Sequence, residues 1–314
     1  MKKIEMKNEI AIGVDVGGSH IVSAAVNLKK LRILPGTTFS VKVDNKATKE
    51  VVLETWSTAI NKTISRIPDK KNVNIGFAIP GPFDYDRGIA LYEGENDKYT
   101  NMYGVSVPKE LIRYLDSENV NFRFLNDATS FGVGVATQVS AKQYPKIIVI
   151  TLGTGFGSAF VKDGIPQVNH TEVPKDGCLW DKPFRNGIGD DYFSTRWCIK
   201  RYQELSLEKV KGVKEIAEAN NIHTQIVFEE FGANMAEFMI PFIQKFRPQL
   251  LVLGGNISHA SRFFLPTLKS RIQSAGLNIN FEISLLMEDA AILGSAQLFN
   301  IHFWNQVKND LPNI

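Results

Sequence analysis

One pattern constrains this chain more than any other, because it occurs twice. Ile10-Ala11-Ile12-Gly13-Val14-Asp15-Val16 is a β-branched run that breaks at Gly17-Gly18 and resumes as Ile21 to Val26. In the second half, Ile147-Ile148-Val149-Ile150 leads to Gly153-Thr154-Gly155-Phe156-Gly157 and returns as Ser158 to Val161. Strand, acidic or hydroxyl residue, glycine turn and strand form one plan used in both halves, and such a duplication sets the reading of the whole fold. A third apolar strand, Leu250-Leu251-Val252-Leu253, also empties into glycines at Gly254-Gly255-Asn256. Taken singly, each glycine turn reads as an ordinary β-hairpin. Two in corresponding places, with the third, point to a nucleotide clamp between similar lobes. A glycine without a Cβ lets backbone N–H groups approach a phosphate, and the fixed amide dipoles stabilise its charge.

Two familiar phosphate loops are excluded. No glycine turn carries the Gly-Lys-Ser/Thr ending of a Walker A loop. Gly153 and Gly155 supply half of a dinucleotide fingerprint, but that fingerprint needs a helix next, and Ser158 to Val161 reads as strand. Elsewhere Val52, Trp56, Ala59, Ile60 and Ile64 recur at helical spacing, which predicts an amphipathic helix over 48–67. Val73 to Ile79 reads as strand and stops at Pro80-Gly81-Pro82, which cannot continue a helix or a central strand. The stretch 85–103 is a polar, aromatic surface loop, 108–115 a short helix, and 122–125 a strand ending at Asn126-Asp127. Helices follow at 213–219, 226–246 and 289–298, so the class is α/β.

At about 150 residues per domain, 314 residues suggest two domains. Lys+Arg 36 against Asp+Glu 33 leaves a formal charge of +3 with no dense basic run, so no nucleic-acid partner is expected. No apolar run reaches the roughly 18 residues that span a bilayer, and Glu5, Lys7 and Glu9 interrupt the opening where a signal peptide would be apolar. Two cysteines make no disulfide framework. A cytoplasmic chain with no membrane partner is the expectation.

The set Asp15-Val16-Gly17-Gly18-Ser19, Asn126-Asp127-Ala128, Leu152 to Gly157 and Leu253 to Asn256 resembles the phosphate and adenosine motifs of the sugar kinase/Hsp70/actin superfamily. Within it, the order and wording resemble the ROK family of bacterial sugar kinases and repressors. Gly76 to Pro82 is similar to that family's glycine-proline segment, and Asp289 to Ala296 to its closing helix. The matches run in order from residue 10 to 297. The resemblance implies two actin-like (ribonuclease H-like) lobes with a cleft between them. The N-terminal lobe would hold 1–138 plus about 297–314, and the C-terminal lobe 139–296. It implies ATP and Mg2+, with nucleotide held by Gly17, Gly18, Ser19, Gly153, Thr154, Gly155, Gly254, Gly255 and Asn256, and with Asp15 facing the magnesium through water. Phosphoryl transfer asks a protein for positioning, charge neutralisation and a carboxylate to take the hydroxyl proton. By resemblance Asp127 is that base, and Asn126 and Gly81 touch the sugar. The other reading of Asn126-Asp127 is a cap for the segment 128–136.

The chain also departs from the family. ROK proteins carry a Gly-Glu-x-Gly-His segment and then a cysteine-rich zinc loop ending in Glu. Here Glu172 matches the first Glu, Lys175 stands where the His belongs, and His170 is a neighbour of that position. Cys178 and Cys198 lack the paired short spacing of a zinc site, so no structural zinc is expected. Asp190 takes the place of the second sugar-binding Glu, beside Asp191; an acidic helix N-terminus accounts for the pair equally well. Trp180 and Phe184 read as packing residues, and the loop 99–103 is a further sugar candidate by position.

The function implied is ATP-dependent phosphorylation of a hexose, glucose first, with closure on the sugar suppressing ATP hydrolysis. N-acetylmannosamine, N-acetylglucosamine, fructose and allose are alternatives, and polyphosphate an alternative donor. A sugar-sensing regulator is the runner-up from another class. Its DNA-binding domain would precede the kinase-like part, where this chain reaches its first strand by Ile10. An actin- or Hsp70-like assembly module is a third reading, against which Asn126-Asp127 and Pro80-Gly81-Pro82 favour a sugar enzyme. A homodimer is the usual arrangement among similar proteins.

Overall fold

β1 (Ile10–Val16) and β2 (His20–Asn27) form an antiparallel hairpin in which Val16 faces Ile21 beside the glycine turn. This computed structural model describes residues 9–93 and 98–313. They fall into two units, Met1–Gln138 with Glu288–Ile314, and Val139–Met287.

In the first unit β3 (Arg32–Ile33) and β4 (Phe39–Lys42) both pair with β2. Helix α1 (Lys49–Ile64) buries Val52, Trp56, Ala59, Ile60 and Ile64, the stripe that the helical spacing predicts. Then come β5 (Asn72–Ile79), a short ribbon of β6 (Phe83–Asp84) and β7 (Ile89–Ala90), α2 (Val107–Leu111), β8 (Asn119–Asn126) and α3 (Asp127–Ala136). The sheet runs β3-β2-β1-β5-β8, with β5 parallel to β1 and β8 parallel to β5. Its core is aromatic: Trp56, Phe77, Phe83, Tyr99 and Phe124 are all buried.

The second unit repeats the scheme. After α4 (Val139–Lys142), β9 (Lys146–Leu152) and β10 (Phe156–Lys162) make the second hairpin, with Leu152 opposite Phe156. The antiparallel return excludes the dinucleotide fingerprint, as the apolar run at Ser158 indicated. Next come β11 (Ile165–Pro166), a ribbon of β12 (Pro183–Phe184) and β13 (Gly187–Ile188), α5 (Gly189–Tyr192), α6 (Thr195–Ser206) and α7 (Val213–Ala219). Helix α8 (Ile222–Phe246) starts earlier than its apolar spacing suggests, because the Asn221 side chain caps it by accepting from the Thr224 N–H at 2.9 Å. β14 (Leu250–Gly254), α9 (Ser261–Ser274) and β15 (Asn280–Ile283) complete the order β11-β10-β9-β14-β15, with β14 parallel to β9 and β15 parallel to β14.

The chain then returns through α10 (Glu288–Gln297) and α11 (Ile301–Val307). The return falls at Glu288 rather than near residue 297, because α10 lies against β1, β5 and α3 at backbone distance. Ideal Cβ atoms on Gly13, Gly76, Gly134 and Gly294 would stand only 2.1, 2.0, 1.9 and 1.8 Å from the carbonyl oxygens of Ile292, Ser295, Ala290 and Ser130. Only glycine allows that approach. Among the described residues no helix is long and apolar enough to cross a membrane.

Candidate active site

In the first unit the β1–β2 turn is held by its carbonyls. The Tyr99 Oη donates to the Gly17 carbonyl at 2.7 Å, the Asn45 Nδ2 donates to the Gly18 carbonyl, and the Val43 N–H donates to the Ser19 carbonyl at 2.9 Å. The Gly17 N–H itself donates to the His20 carbonyl at 2.9 Å, so the amides of Gly18 and Ser19 are what the turn has left to offer a ligand. Asp15, one residue short of the turn, has its carboxyl pushed up to about 8. Burial is the main cause, and the charges of Asp127 and Glu288 add to it.

β8 delivers Asn126 and Asp127 to the start of α3. The Asn126 Oδ1 accepts from the Thr129 N–H at 3.1 Å, so the cap reading holds for Asn126; its Nδ2 donates to the Tyr85 Oη at 3.3 Å. Asp127 is the first residue of the helix, and its Oδ1 accepts the Ala128 N–H at 2.8 Å. Burial holds its carboxyl above the ordinary range, while that N–H and the Lys98 charge pull it back. The pairing of Ile79 with Asn126 places the Pro80-Gly81 segment at the same end of the sheet, where the Tyr92 Oη donates to the Pro80 carbonyl at 3.1 Å. Glu288, at the head of α10, meets the His20 Nε2 at 2.6 Å, and the His20 Nδ1 lies 3.2 Å from the Ser19 Oγ. The structure thus gathers Asp15, the Gly17–Ser19 turn, Asn126 and Asp127 in one unit, with Lys98, His20 and Glu288 as members that the sequence pattern does not reveal. Lys98 sits in a stretch without periodicity, and Glu288 acts across the fold from its neighbours in number.

In the second unit the β9–β10 turn is braced differently. The Thr195 N–H and Oγ1 donate to the Gly153 carbonyl at 2.8 and 2.9 Å. The Phe156 N–H donates to the Asp190 Oδ1 at 2.7 Å. Arg196 bridges the Asp190 Oδ2 at 2.6 Å and the Thr154 carbonyl at 3.2 Å. Both oxygens of Asp190 therefore hold the turn. Gly255 has φ +79, and a Cβ there would stand 2.4 Å from the Leu152 carbonyl, so Gly254–Asn256 lies against the end of β9 beside Gly153–Gly155. Glu172 is elsewhere. Its Oε2 meets the Lys146 Nζ at 2.6 Å and the His170 Nδ1 at 3.8 Å, and the Lys146 partner holds its carboxyl below the ordinary range. Lys146 opposes Lys162 at one end of the hairpin and Leu152 opposes Phe156 at the other. At about 3.3 Å per residue, roughly 20 Å of strand lies between those two ends; Glu172 is bonded at the first and Asp190 at the second.

Phe184 packs on Tyr192, Phe238 and Phe193 with ring centroids 4.9, 5.4 and 5.7 Å away, the packing role read for it. Cys178 and Cys198 are both buried, and the Cys178 Sγ donates to the Asp176 carbonyl at 3.6 Å. Among the described residues no group of three or more His, Cys, Asp or Glu is placed to hold a metal directly. A hydrated cation nevertheless fits the acidic end of the first unit. Asp15 there is repelled by Asp127 and Glu288, and positive charge relieves that repulsion.

A family model described as the ROK family matches residues 11–300. A glucokinase of Thermotoga maritima is 25% identical over 318 aligned residues, covering 91% of this chain and 96% of that protein. A xylose repressor of Bacillus subtilis is 21% identical, covering 95% of this chain and 78% of its own. The crystal structure of a ROK family glucokinase from Streptomyces griseus, in complex with glucose and AMPPNP, superposes with a TM-score of 0.69. It is 18% identical and covers 92% of this chain and 98% of that one. The fold is accordingly the two-lobed, actin-like α/β fold of these kinases.

Proposed function

The chain belongs to the ROK family, and from that membership we propose that it is an ATP-dependent sugar kinase, moving the γ-phosphoryl group of ATP to a hexose hydroxyl. Glucose, giving glucose 6-phosphate, is the first reading; N-acetylmannosamine, N-acetylglucosamine, fructose and allose stay as alternatives, and polyphosphate as an alternative donor. One observation carries the proposal: a carboxylate with a raised pKa, Asp127, heads α3 in the same unit as Asp15 and the Gly17–Ser19 turn.

In this reading Asn126 and Gly81 orient the sugar, and Asp127 accepts the proton of the attacking hydroxyl. A carboxyl lifted by burial is a better proton acceptor than an ordinary one. Amides of Gly18 and Ser19, with those of Thr154 and Gly155, bind phosphate oxygens, Gly17 and Gly153 shape the two turns through their own N–H bonds to the His20 and Gly155 carbonyls, and Gly254, Gly255 and Asn256 receive the adenosine. Magnesium, when bound by Asp15 through water, supplies charge neutralisation at the phosphates. Asp190 contributes by holding the second turn, and it becomes a sugar ligand only by exchanging its bonds to Phe156 and Arg196. Glu172 remains a sugar-ligand candidate on the family resemblance alone.

A second reading, a sugar sensor without chemistry, draws on the repressor relative and on the departure from the family at 170–190. The deciding experiment is a coupled ADP-release assay with magnesium-ATP against a panel of hexoses and N-acetylhexosamines. Turnover with one sugar supports the kinase; sugar binding without turnover supports the sensor.

A further inference from the structure

We infer that Lys98 is a catalytic residue of this phosphoryl transfer, its ammonium group meeting the oxygens of the transferring phosphoryl; the inference rests on the kinase reading above.

Lys98 lies over the glycine turn of the first unit. An ideal Cβ on Gly18 would stand 3.0 Å from the Lys98 Cε, 3.4 Å from Cδ and 3.7 Å from Nζ. Any side chain at position 18 would therefore displace the lysine. The same ammonium is near enough to Asp127 for its charge to act on that carboxyl. It thus spans the turn assigned to phosphate and the residue assigned as base, all within one unit.

The residue after it fixes this position. Tyr99 is fully buried, meets Trp56 edge-on at 5.5 Å, and adopts the left-handed region with φ +57, which a tyrosine takes only when its surroundings hold it there. Its hydroxyl donates to the Gly17 carbonyl, its N–H donates to the Asn45 carbonyl at 3.0 Å, and the Asn45 side chain holds the Gly18 carbonyl. The backbone carrying Lys98 is tied to both glycines of the turn.

Electrostatics give the lysine its task. The charges of Asp127 and Glu288 both act on Asp15, and negative charge at this end of the unit repels an incoming triphosphate in the same way. His20 is taken by Glu288. Lys98 supplies positive charge at the turn itself, as a compact point charge on a flexible stem. During transfer the sugar oxygen bonds to the γ-phosphorus, the bond from that phosphorus to the β–γ bridging oxygen breaks, and its electron pair leaves with ADP. The hydroxyl proton goes to Asp127. Lys98 stabilises charge on the equatorial oxygens as it develops.

The test compares Lys98→Gln and Lys98→Arg with the wild type in magnesium-ATP turnover. Titration calorimetry with AMPPNP and with ADP supplies an activity-free readout. Loss of one preorganised donor is expected to lower kcat by about 10²–10³-fold in Lys98→Gln, with Lys98→Arg recovering at least part. AMPPNP binding should weaken about tenfold while ADP binding changes little. A kcat for Lys98→Gln within a few fold of wild type overturns the inference. So does a loss that disappears at higher pH: removing the cation raises the Asp127 pKa, and full recovery would mean Lys98 acts only through that carboxyl. Should the wild type turn over no sugar, the kinase reading fails by itself, and AMPPNP binding decides Lys98. Equal affinity in the variant overturns its phosphoryl contact, and a selective loss supports it. If Lys98→Gln does not fold, Lys98→Met keeps the aliphatic stem and takes its place.

Discussion

Asp127 and Asp15 show how little a carboxylate's role depends on its neighbours in sequence. Both are pushed toward the protonated form by burial, yet one heads a helix and the other is the next-to-last residue of a strand. Asp127→Asn keeps an acceptor for the Ala128 N–H, so folding should persist while kcat falls by about 10²–10⁴-fold, the usual worth of a positioned base; steady-state kinetics and circular dichroism check both halves. Asp15 makes a prediction about pH. Its folded value of about 8 stands above the ordinary 3.8, so between these values the folded state holds a proton that the unfolded state has lost. Stability from this group therefore falls as pH rises from about 4 to about 8 and levels off above. In metal-free protein, melting temperature should decline over that window more steeply for wild type than for Asp15→Asn; equal slopes would refute the assignment. The identity of these residues as acids at turn and strand ends was legible in the sequence. Their common environment was not, because Asp15, Asp127 and Glu288 meet only through packing.

Elements tell the same story at longer range. The two glycine hairpins, the buried stripe of α1 and the helix 213–219 follow from periodicity and turn chemistry, which act over a few residues. The short strand β15 and helices α6 and α9 are not among the elements read from the sequence, although both helices are amphipathic, burying Cys198 and Tyr202 on one and Phe264, Leu268 and Ile272 on the other. The α10–α3 contact is set by glycines whose significance shows only when both backbones are in place. Gly134→Ala and Gly294→Ala should each destabilise by about 1–3 kcal/mol or more, since the new methyl meets a carbonyl rather than a yielding side chain; urea midpoints measure this. The second turn makes a sharper prediction. If Asp190 braces Gly153–Phe156, Asp190→Ala should raise KM for ATP more than KM for sugar. The opposite ratio would mark Asp190 as the sugar ligand of the family pattern.

At the scale of the molecule, the residues assigned to phosphate are divided between two units, Gly17–Ser19 in one and Gly153–Gly155 in the other. Turnover that needs both units should depend on sugar: ADP release from ATP alone is expected to be at least about tenfold slower than with an accepted hexose, and equal rates would remove closure from the account. The duplication of the glycine hairpin, the α/β class and the ROK membership were determined by the sequence alone, because local pattern and motif order survive in a linear string. Tertiary structure decided the rest. It tied Asp190 to Phe156 and Arg196, paired Glu172 with Lys146, returned the chain at Glu288 and laid Lys98 over Gly18. Each of these depends on contacts between residues remote in number, whose burial and charge coupling exist only once the chain has packed.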